Sequence, residues 1–459
     1  MKIVIVGAGM VGYSLAEYFS GLNHNITVIE KDKARCEKIS SKLDVFVVEG
    51  IGSSPTVLDE ADIKSADLVI AVTPSDETNL LVCNFAMQNG VEKRIARVKS
   101  SLYTQDTPNV SLEKLGVTSV IEPEREVMQR ILQYIELPDV IETANFQSNN
   151  IYLRGYHITK EMPIVNKTLA EIHQIADPAQ ILFLVIVRSG KSIPPTGDQT
   201  LLPGDKIIAI MPKKSFKTFC TLIGYKTSRM KKIVVSGDTL TAIHLAKALQ
   251  PLCEQVILTD PDLEHGRIAA STLNGVEVFH VDSTKSDMLE EMNIKHADCF
   301  IAVGQHAEDN TMSCLLAKVE GADMVIALRD DKHYDKLFAS LGMDHIIYPQ
   351  EITLNAIIEK IHMVSIGTHL KLKSADIEIM RISIKKNSPV TGKSLRELDK
   401  VFKKSITIGC IIKDNTVIIP QGDTIIKEND KVLVLSQKDN ISLVNKVFKP
   451  EDLIRSQPA

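Results

Sequence analysis

No apolar run in this sequence is long enough to cross a bilayer. The longest, Ile181 to Val187, falls far short of the roughly 18 to 20 residues that a spanning helix needs. The run Ile3 to Val6 breaks at Gly7 before the apolar centre of a signal peptide can form, which predicts a protein that stays in the cytoplasm. Cysteine pairs of the CxxC type are missing too. The seven cysteines (Cys36, Cys83, Cys220, Cys253, Cys299, Cys314, Cys410) are scattered and odd in number, which fits buried, reduced thiols better than a disulfide or zinc framework. Nor is there a basic surplus: a formal charge of −5 offers no excess to neutralise phosphates, and no helix-turn-helix with a basic face is visible. Nucleic-acid binding, including that of a redox-sensing transcription factor, therefore has no support. What is present is 44% apolar and 24% charged residues with no long disordered composition, so the chain should fold nearly end to end. Its 459 residues exceed one ordinary core and suggest about three domains.

Self-similarity refines that number. Lys2-Ile3-Val4-Ile5-Val6-Gly7 realigns with Lys232-Ile233-Val234-Val235-Ser236-Gly237, and in the same register Leu15-Ala16 meets Leu245-Ala246 and Glu30 meets Asp260. After one inserted residue the match resumes, pairing Ala66-Asp67 with Ala297-Asp298, Asn79 with Asn310, Cys83 with Cys314 and Tyr103 with Tyr334. Smaller units repeat further on. Pro163 to Leu169 (PIVNKTL) matches Pro389 to Leu395 (PVTGKSL), Pro195 to Asp198 matches Pro420 to Asp423, and Gly204-Asp205-Lys206 matches Asn429-Asp430-Lys431. Each half is thus a large piece followed by a small one, with expected domains at residues 1–140, 141–227, 228–370 and 371–459.

In the large piece, β-branched runs at Ile3–Val6, Ile26–Ile29, Val45–Val48, Leu68–Val72 and Ile95–Val98 read as strands. Val11–Phe19, Lys33–Leu43, Pro55–Ala61 and Glu77–Asn89 between them read as helices. Strands apolar on both faces and separated by helices mean an α/β fold with a Rossmann-like, doubly wound parallel sheet. Right-handed crossovers then line up the carboxyl ends of the strands along one crevice. Glu126 to Ile135 has amphipathic spacing and ends near Pro138, predicting a helix that leads out of the sheet. The small piece, with strands such as Ile151–Ile158, Lys206–Met211, Ile377–Ile384 and Lys431–Ser436 and a helix at Leu169–Ile175, reads as a small α+β domain.

Gly7-Ala8-Gly9-Met10-Val11-Gly12 is a G-x-G-x-x-G loop placed directly between a predicted strand and a predicted helix. Gly7 permits the tight turn, Gly9 lets the backbone approach a pyrophosphate, and Gly12 lets the helix pack closely on the sheet; the diphosphate then rests on N–H groups at the helix N-terminus. Glu30, at the end of the second strand, is placed to accept from ribose hydroxyls and to repel a 2′-phosphate, so NADPH should be disfavoured. Gly50-Ile51-Gly52, Thr73-Pro74 and Arg97 fall at other strand ends of the same crevice, though Thr73 and Arg97 would also suit purely structural roles. Asp76 is expected to cap the next helix.

The second copy departs from this pattern. Gly7, Gly9 and Gly12 become Gly237, Thr239 and Ala242, while the acid persists as Asp260. A Cβ at the middle position obstructs close approach, so this crevice should bind nucleotide more weakly, bind a different one, or stay empty.

These residues resemble the TrkA family, the peripheral subunits of bacterial Trk potassium uptake systems, built from two RCK (regulator of potassium conductance) units. The resemblance covers nearly the whole chain. It rests on Gly7–Gly12, the IEKD segment around Glu30, Val48–Ile63, Ala71–Asn79, Ile95–Val98, and the PTGD and PQGD turns of the small domains. It implies a homo-oligomer, most simply four chains in a ring, docked on a TrkH- or TrkG-like membrane subunit at the inner face of the cell membrane. It also implies NAD(H) and ATP/ADP as ligands, held at Gly7 to Val11, Glu30, Ile51-Gly52, Thr73-Pro74 and Arg97. The rival is an NAD-dependent oxidoreductase. Hydride chemistry needs an acid or base beside the nicotinamide, yet no histidine recurs between the copies, and the small domains offer Asp and Lys only in turn-like settings. His306, near the second crevice, reads as a surface loop residue.

Overall fold

The computed structural model describes residues 1–22, 24–100, 103, 111–136, 140–146, 151–175, 181–193, 195–224, 230–343, 345–364, 369–371, 377–402, 405–413, 416–437 and 440–448. The chain divides into two compact units that do not follow the halves of the repeat. Met1–Ile135 joins Arg229–Lys360, and Glu136–Ser228 joins Ile361–Ala459, so each unit pairs the two copies of one domain type. The expected boundaries at 140 and 370 fall in the strands Val140–Phe146 and His369–Lys371, each at one edge of a small sheet; 227–228 lies outside the described residues.

In the first unit, the first sheet is made from β1 (Lys2–Val6), α1 (Met10–Ser20), β2 (Asn25–Glu30), α2 (Lys33–Ser40), β3 (Phe46–Glu49), α3 (Pro55–Glu60), β4 (Leu68–Ala71), α4 (Asp76–Gln88), β5 (Lys93–Arg97), β6 (Ser119–Ile121) and α5 (Pro123–Glu136). Its strands are parallel in the order β3-β2-β1-β4-β5-β6. Strand order reverses between β1 and β4, and beyond their carboxyl ends the two crossovers part, which opens a crevice. All four residues of β4 are buried, as strands covered on both faces must be.

The second large sheet comes later in the chain, and the first small domain precedes it: β7 (Val140–Phe146), β8 (Ile151–His157), α6 (Leu169–Ile175), β9 (Leu182–Arg188), β10 (Lys191–Ile193), β11 (Lys206–Pro212) and α7 (Phe216–Ile223). Then follow β12 (Met230–Ser236), α8 (Leu240–Leu249), β13 (Cys253–Asp260), α9 (Leu263–Thr272), β14 (Glu277–His280), α10 (Ser286–Glu291), β15 (Cys299–Ala302), α11 (Ala307–Val319), β16 (Met324–Leu328), α12 (Asp335–Ser340), β17 (His345–Ile347) and α13 (Pro349–Val364). The order β14-β13-β12-β15-β16-β17 repeats that of the first sheet. The amphipathic helix α5 does lead out of its own sheet. Its buried face, Val127, Ile131 and Ile135, packs into the core of the second sheet beside Ile243, Leu245 and Leu258, and Tyr134 stacks on His345 with ring centroids 4.1 Å apart. Burying three such side chains contributes roughly 1.5–3 kcal/mol each, which fastens the two large domains together.

In the second unit, the last small domain adds β18 (His369–Lys371), β19 (Ile377–Ser383), α14 (Leu395–Phe402), β20 (Ile406–Lys413), β21 (Thr416–Ile418), β22 (Lys431–Gln437) and α15 (Ile441–Phe448). Two antiparallel sheets, β10-β9-β11-β8-β7 and β18-β19-β22-β20-β21, share one apolar layer in which Leu153, Val185 and Ile208 meet Ile379, Cys410 and Leu433. The repeated motifs of these domains build turns. Asn166 and Gly392 hold the same left-handed conformation, at φ 61° and 80°. Thr168 with Glu171, and Ser394 with Glu397, then form reciprocal capping boxes: the glutamates accept from the cap N–H at 2.7 and 2.8 Å. Asp205 is buried and accepts from Leu202 N and from Arg188 Nε and Nη2, all at 2.8 Å; Asp430 accepts from Lys427 N at 2.7 Å.

Candidate functional site

The turn after β1 delivers the N-terminus of α1 to the crevice. Gly7 has φ 101°, a left-handed value that only glycine adopts cheaply, and a Cβ there would lie 3.1 Å from Thr73 N. Gly12 is required by packing, since a Cβ would sit 1.8 Å from the Gly7 carbonyl oxygen. Gly9 is different. Its φ of −64° suits any residue, and a Cβ would meet nothing within 4 Å, so the space before it is open. It occupies the N-cap of α1 without any side-chain cap, leaving the first N–H groups of the helix without an intrahelical acceptor. Ala8 and Val11 are buried beside this opening and Met10 is exposed.

Glu30 is 6% exposed and folds back onto the same turn. Its carboxylate accepts from Ala8 N at 2.6 Å, Lys31 N at 2.9 Å and Asp32 N at 3.0 Å, with Arg35 Nη1 4.0 Å away. The carboxylate is therefore held beside the turn after β1. Ile51 is exposed at the rim, and Gly52 is demanded by Val6, whose Cγ1 would be 2.2 Å from a Cβ. Thr73 donates to Asn79 Oδ1 at 2.7 Å, and Pro74 beside it is exposed. Arg97, at the end of β5, is half-buried, and its Nε has no hydrogen-bond partner among the described residues. Burial lowers its pKa against the opposing pull of Asp76, yet a guanidinium stays charged at any physiological pH. A half-buried, partly unsatisfied cation at a crevice edge favours an anion or an oxygen-rich ligand.

The second crevice closes over itself. Thr239 caps α8 by accepting from Ala242 N at 3.2 Å while its hydroxyl donates to Val303 O at 2.9 Å. Asp238 stands where the first turn has Ala8 and accepts from Gln305 N at 3.2 Å, which sets a carboxylate at the helix N-terminus. Asp260 is fully buried and accepts from Asp262 N at 2.8 Å and from the His265 ring. Gly237 lies too close to the next strand for a side chain, with Gly304 N 2.8 Å from a Cβ. The cap that is open at Gly9 is filled here by the Thr239 hydroxyl.

Asp76 differs in role from the sequence reading. Ser75, not Asp76, caps α4, accepting from Thr78 N at 3.1 Å; Asp76 reaches across to accept from Lys99 N at 3.0 Å and Ser100 N at 2.8 Å. Asn79 is a fully buried staple, joining both polar groups of the Thr73 backbone to Arg97 O at 2.9 Å. Asn310 does the same for Gly304 and Leu328 in the second copy. Their recurrence in both halves was the available signal. His306 is exposed at the N-cap position of α11. Facing α1 and α2, a cavity of about 410 Å³ runs from Ala8, Gly9 and Met10 to Asp331, Lys332 and Glu351 of the second copy. No sequence pattern joins those two stretches.

Fold and site together define a tandem array of Rossmann-type domains, each followed by a small antiparallel-sheet domain. The TrkA-N domain model matches residues 3–123 and 233–349, and the TrkA-C domain model matches 153–224 and 379–449. The chain belongs to the TrkA family. It is 28% identical over 455 residues to a Trk system potassium uptake protein TrkA of Azorhizobium caulinodans, covering 98% of this chain and 99% of that one. A Trk system potassium uptake protein TrkA homolog of Methanosarcina mazei is 30% identical over 460 residues, covering 98% and 100%. Among solved structures, the GsuK RCK domain aligns with a TM-score of 0.59 at 17% identity, over 97% of this chain and 94% of that one. The GsuK channel bound to NAD aligns with a TM-score of 0.61 at 17% identity, over 97% and 78%. These likenesses establish the shared fold. No helix among the described residues is long and apolar enough to cross a membrane.

Proposed function

We propose that this chain is a nucleotide-sensing regulator of a membrane potassium uptake subunit, and that its first crevice holds NAD(H) and, in the same place, ATP or ADP. The observation that carries the reading is the uncapped start of α1 before the open position of Gly9. There the N–H groups following Gly9 would hold a diphosphate, Glu30 the ribose hydroxyls, and Ile51-Gly52, Thr73-Pro74 and Arg97 the crevice rim. Glu30 would turn from Ala8 N to the ribose and repel a 2′-phosphate, which disfavours NADPH. Gly237, Thr239 and Asp260 form the weaker counterpart, because the cap is already filled and the acid is fully buried against the His265 ring. The names of the relatives and the NAD of the GsuK channel point the same way.

The chain acts by binding, without chemistry of its own. Adenosine and diphosphate are common to NADH and ATP, and only a difference in affinity for two domain arrangements can move a gate. A TrkH- or TrkG-like partner and a closed ring of four chains at the inner membrane face complete the reading, since repeated heterologous contacts must close or grow into filaments. The experiment is potassium flux in vesicles carrying the membrane subunit and this protein. Exchanging NADH or ADP for ATP should change the flux. Flux indifferent to the protein and its nucleotides, or sustained substrate-dependent oxidation of NADH by the protein alone, would overturn the reading.

A further inference from the structure

The cavity in front of α1 has two walls from different halves of the repeat, both within the first compact unit. One wall carries Gly9, Arg35 and Lys38; the other carries Asp331, Lys332 and Glu351. Lys332 is half-exposed, pairs with Glu351 and lies 5.3 Å from the centroid of the Tyr348 ring. Asp331 is engaged by Arg329 at 3.6 Å and by His333 N at 3.1 Å. Lys332 is therefore the cation of this wall with an exchangeable partner: its ion pair is solvent-exposed, and such a pair is worth little.

We propose that Lys332 is a ligand-charge sensor: it leaves Glu351 to pair with phosphate oxygens of a nucleoside triphosphate held at Gly9, so that the second copy completes the site of the first. This rests on the nucleotide reading of the first crevice. A phosphate chain that extends beyond the diphosphate carries more charge toward this wall than a dinucleotide does, and a Lys ammonium answers to charge more than to shape. Releasing Glu351 leaves an unpaired carboxylate in the first turn of α13, free to interact with the helix N-terminus. That helix runs to Val364, past Lys360, the last residue of this unit, so the exchange acts on the segment by which the chain leaves it. The second repeat, whose own crevice is closed, thereby has a function at the first.

The test is calorimetric titration of the full chain with ATP and with NADH, in the native protein and in Lys332→Ala and Glu351→Gln. Lys332→Ala should weaken ATP roughly three- to tenfold and NADH less, whereas Glu351→Gln, which frees the lysine, should tighten ATP roughly twofold. The opposite signs are the signature. If the native protein binds neither nucleotide, the crevice reading falls and this inference falls with it. If it binds both and the two variants match it, or both variants weaken ATP and NADH alike, the ion pair is merely structural and this inference falls alone. Lys332→Arg, which keeps the charge, should bind ATP within about twofold of the native protein; a loss as large as that of Lys332→Ala would also overturn it.

Discussion

The turn after β1 reads Gly7-Ala8-Gly9 and the turn after β12 reads Gly237-Asp238-Thr239; two differing positions separate two turns on sheets with the same strand order. At the first, α1 starts with no side-chain cap and open space before Gly9. At the second, the Thr239 hydroxyl takes the cap and Asp238 places a negative charge at the helix start. The acids diverge in the same way. Among the described residues Glu30 accepts only from backbone N–H groups, with Arg35 4.0 Å off, while Asp260 is fully buried against the His265 ring. A duplicated fold thus keeps its scaffold and changes only which polar groups are left for a ligand. Internal satisfaction stabilises the second domain, and the first leaves its helix N–H groups open.

The largest expected difference follows from giving the first turn the residue of the second. Gly9→Thr should fold normally, because φ is −64° and the space is open, yet it should lose about a hundredfold in nucleotide affinity as one or two charge-assisted hydrogen bonds are blocked. Calorimetry reads this, and undiminished affinity would remove the turn from the site. Next come the staples. Asn79→Ala and Asn310→Ala should each cost about 2 kcal/mol in denaturant unfolding, since each leaves several buried backbone groups unpaired. Clearly unequal losses would show that the two scaffolds differ. The smallest effect is at the caps: Thr239→Ala should cost about 1 kcal/mol, while Gly9→Ala, whose poorer cap is offset by a less flexible unfolded chain, should cost a few tenths at most.

Much of this was legible beforehand, for reasons that particular residues make clear. The central strands were readable because segments such as Leu68–Ala71 are apolar on both faces, and the glycine turn because strand, loop and helix stand in order. The edge strands β6 and β10, three residues each, carry too little periodicity to be noticed. Asp76 was mistaken for a cap because Ser75 and Asp76 both suit that position, and only the loop at Lys99 and Ser100 shows what Asp76 binds. The face of α5 was evident from the spacing of Val127, Ile131 and Ile135, but not what covers it. For the same reason no local pattern told that like domains pair with like, or that Lys332 and Gly9 line one cavity.

Unequal crevices predict an unequal count of ligands. Titrating the full chain with NADH should give one strong site per chain, absent in Gly9→Thr and unchanged in Thr239→Ala, with NADPH bound more weakly than NADH. Two equivalent sites per chain, or a strong site that survives Gly9→Thr, would contradict the assignment of nucleotide to the first crevice.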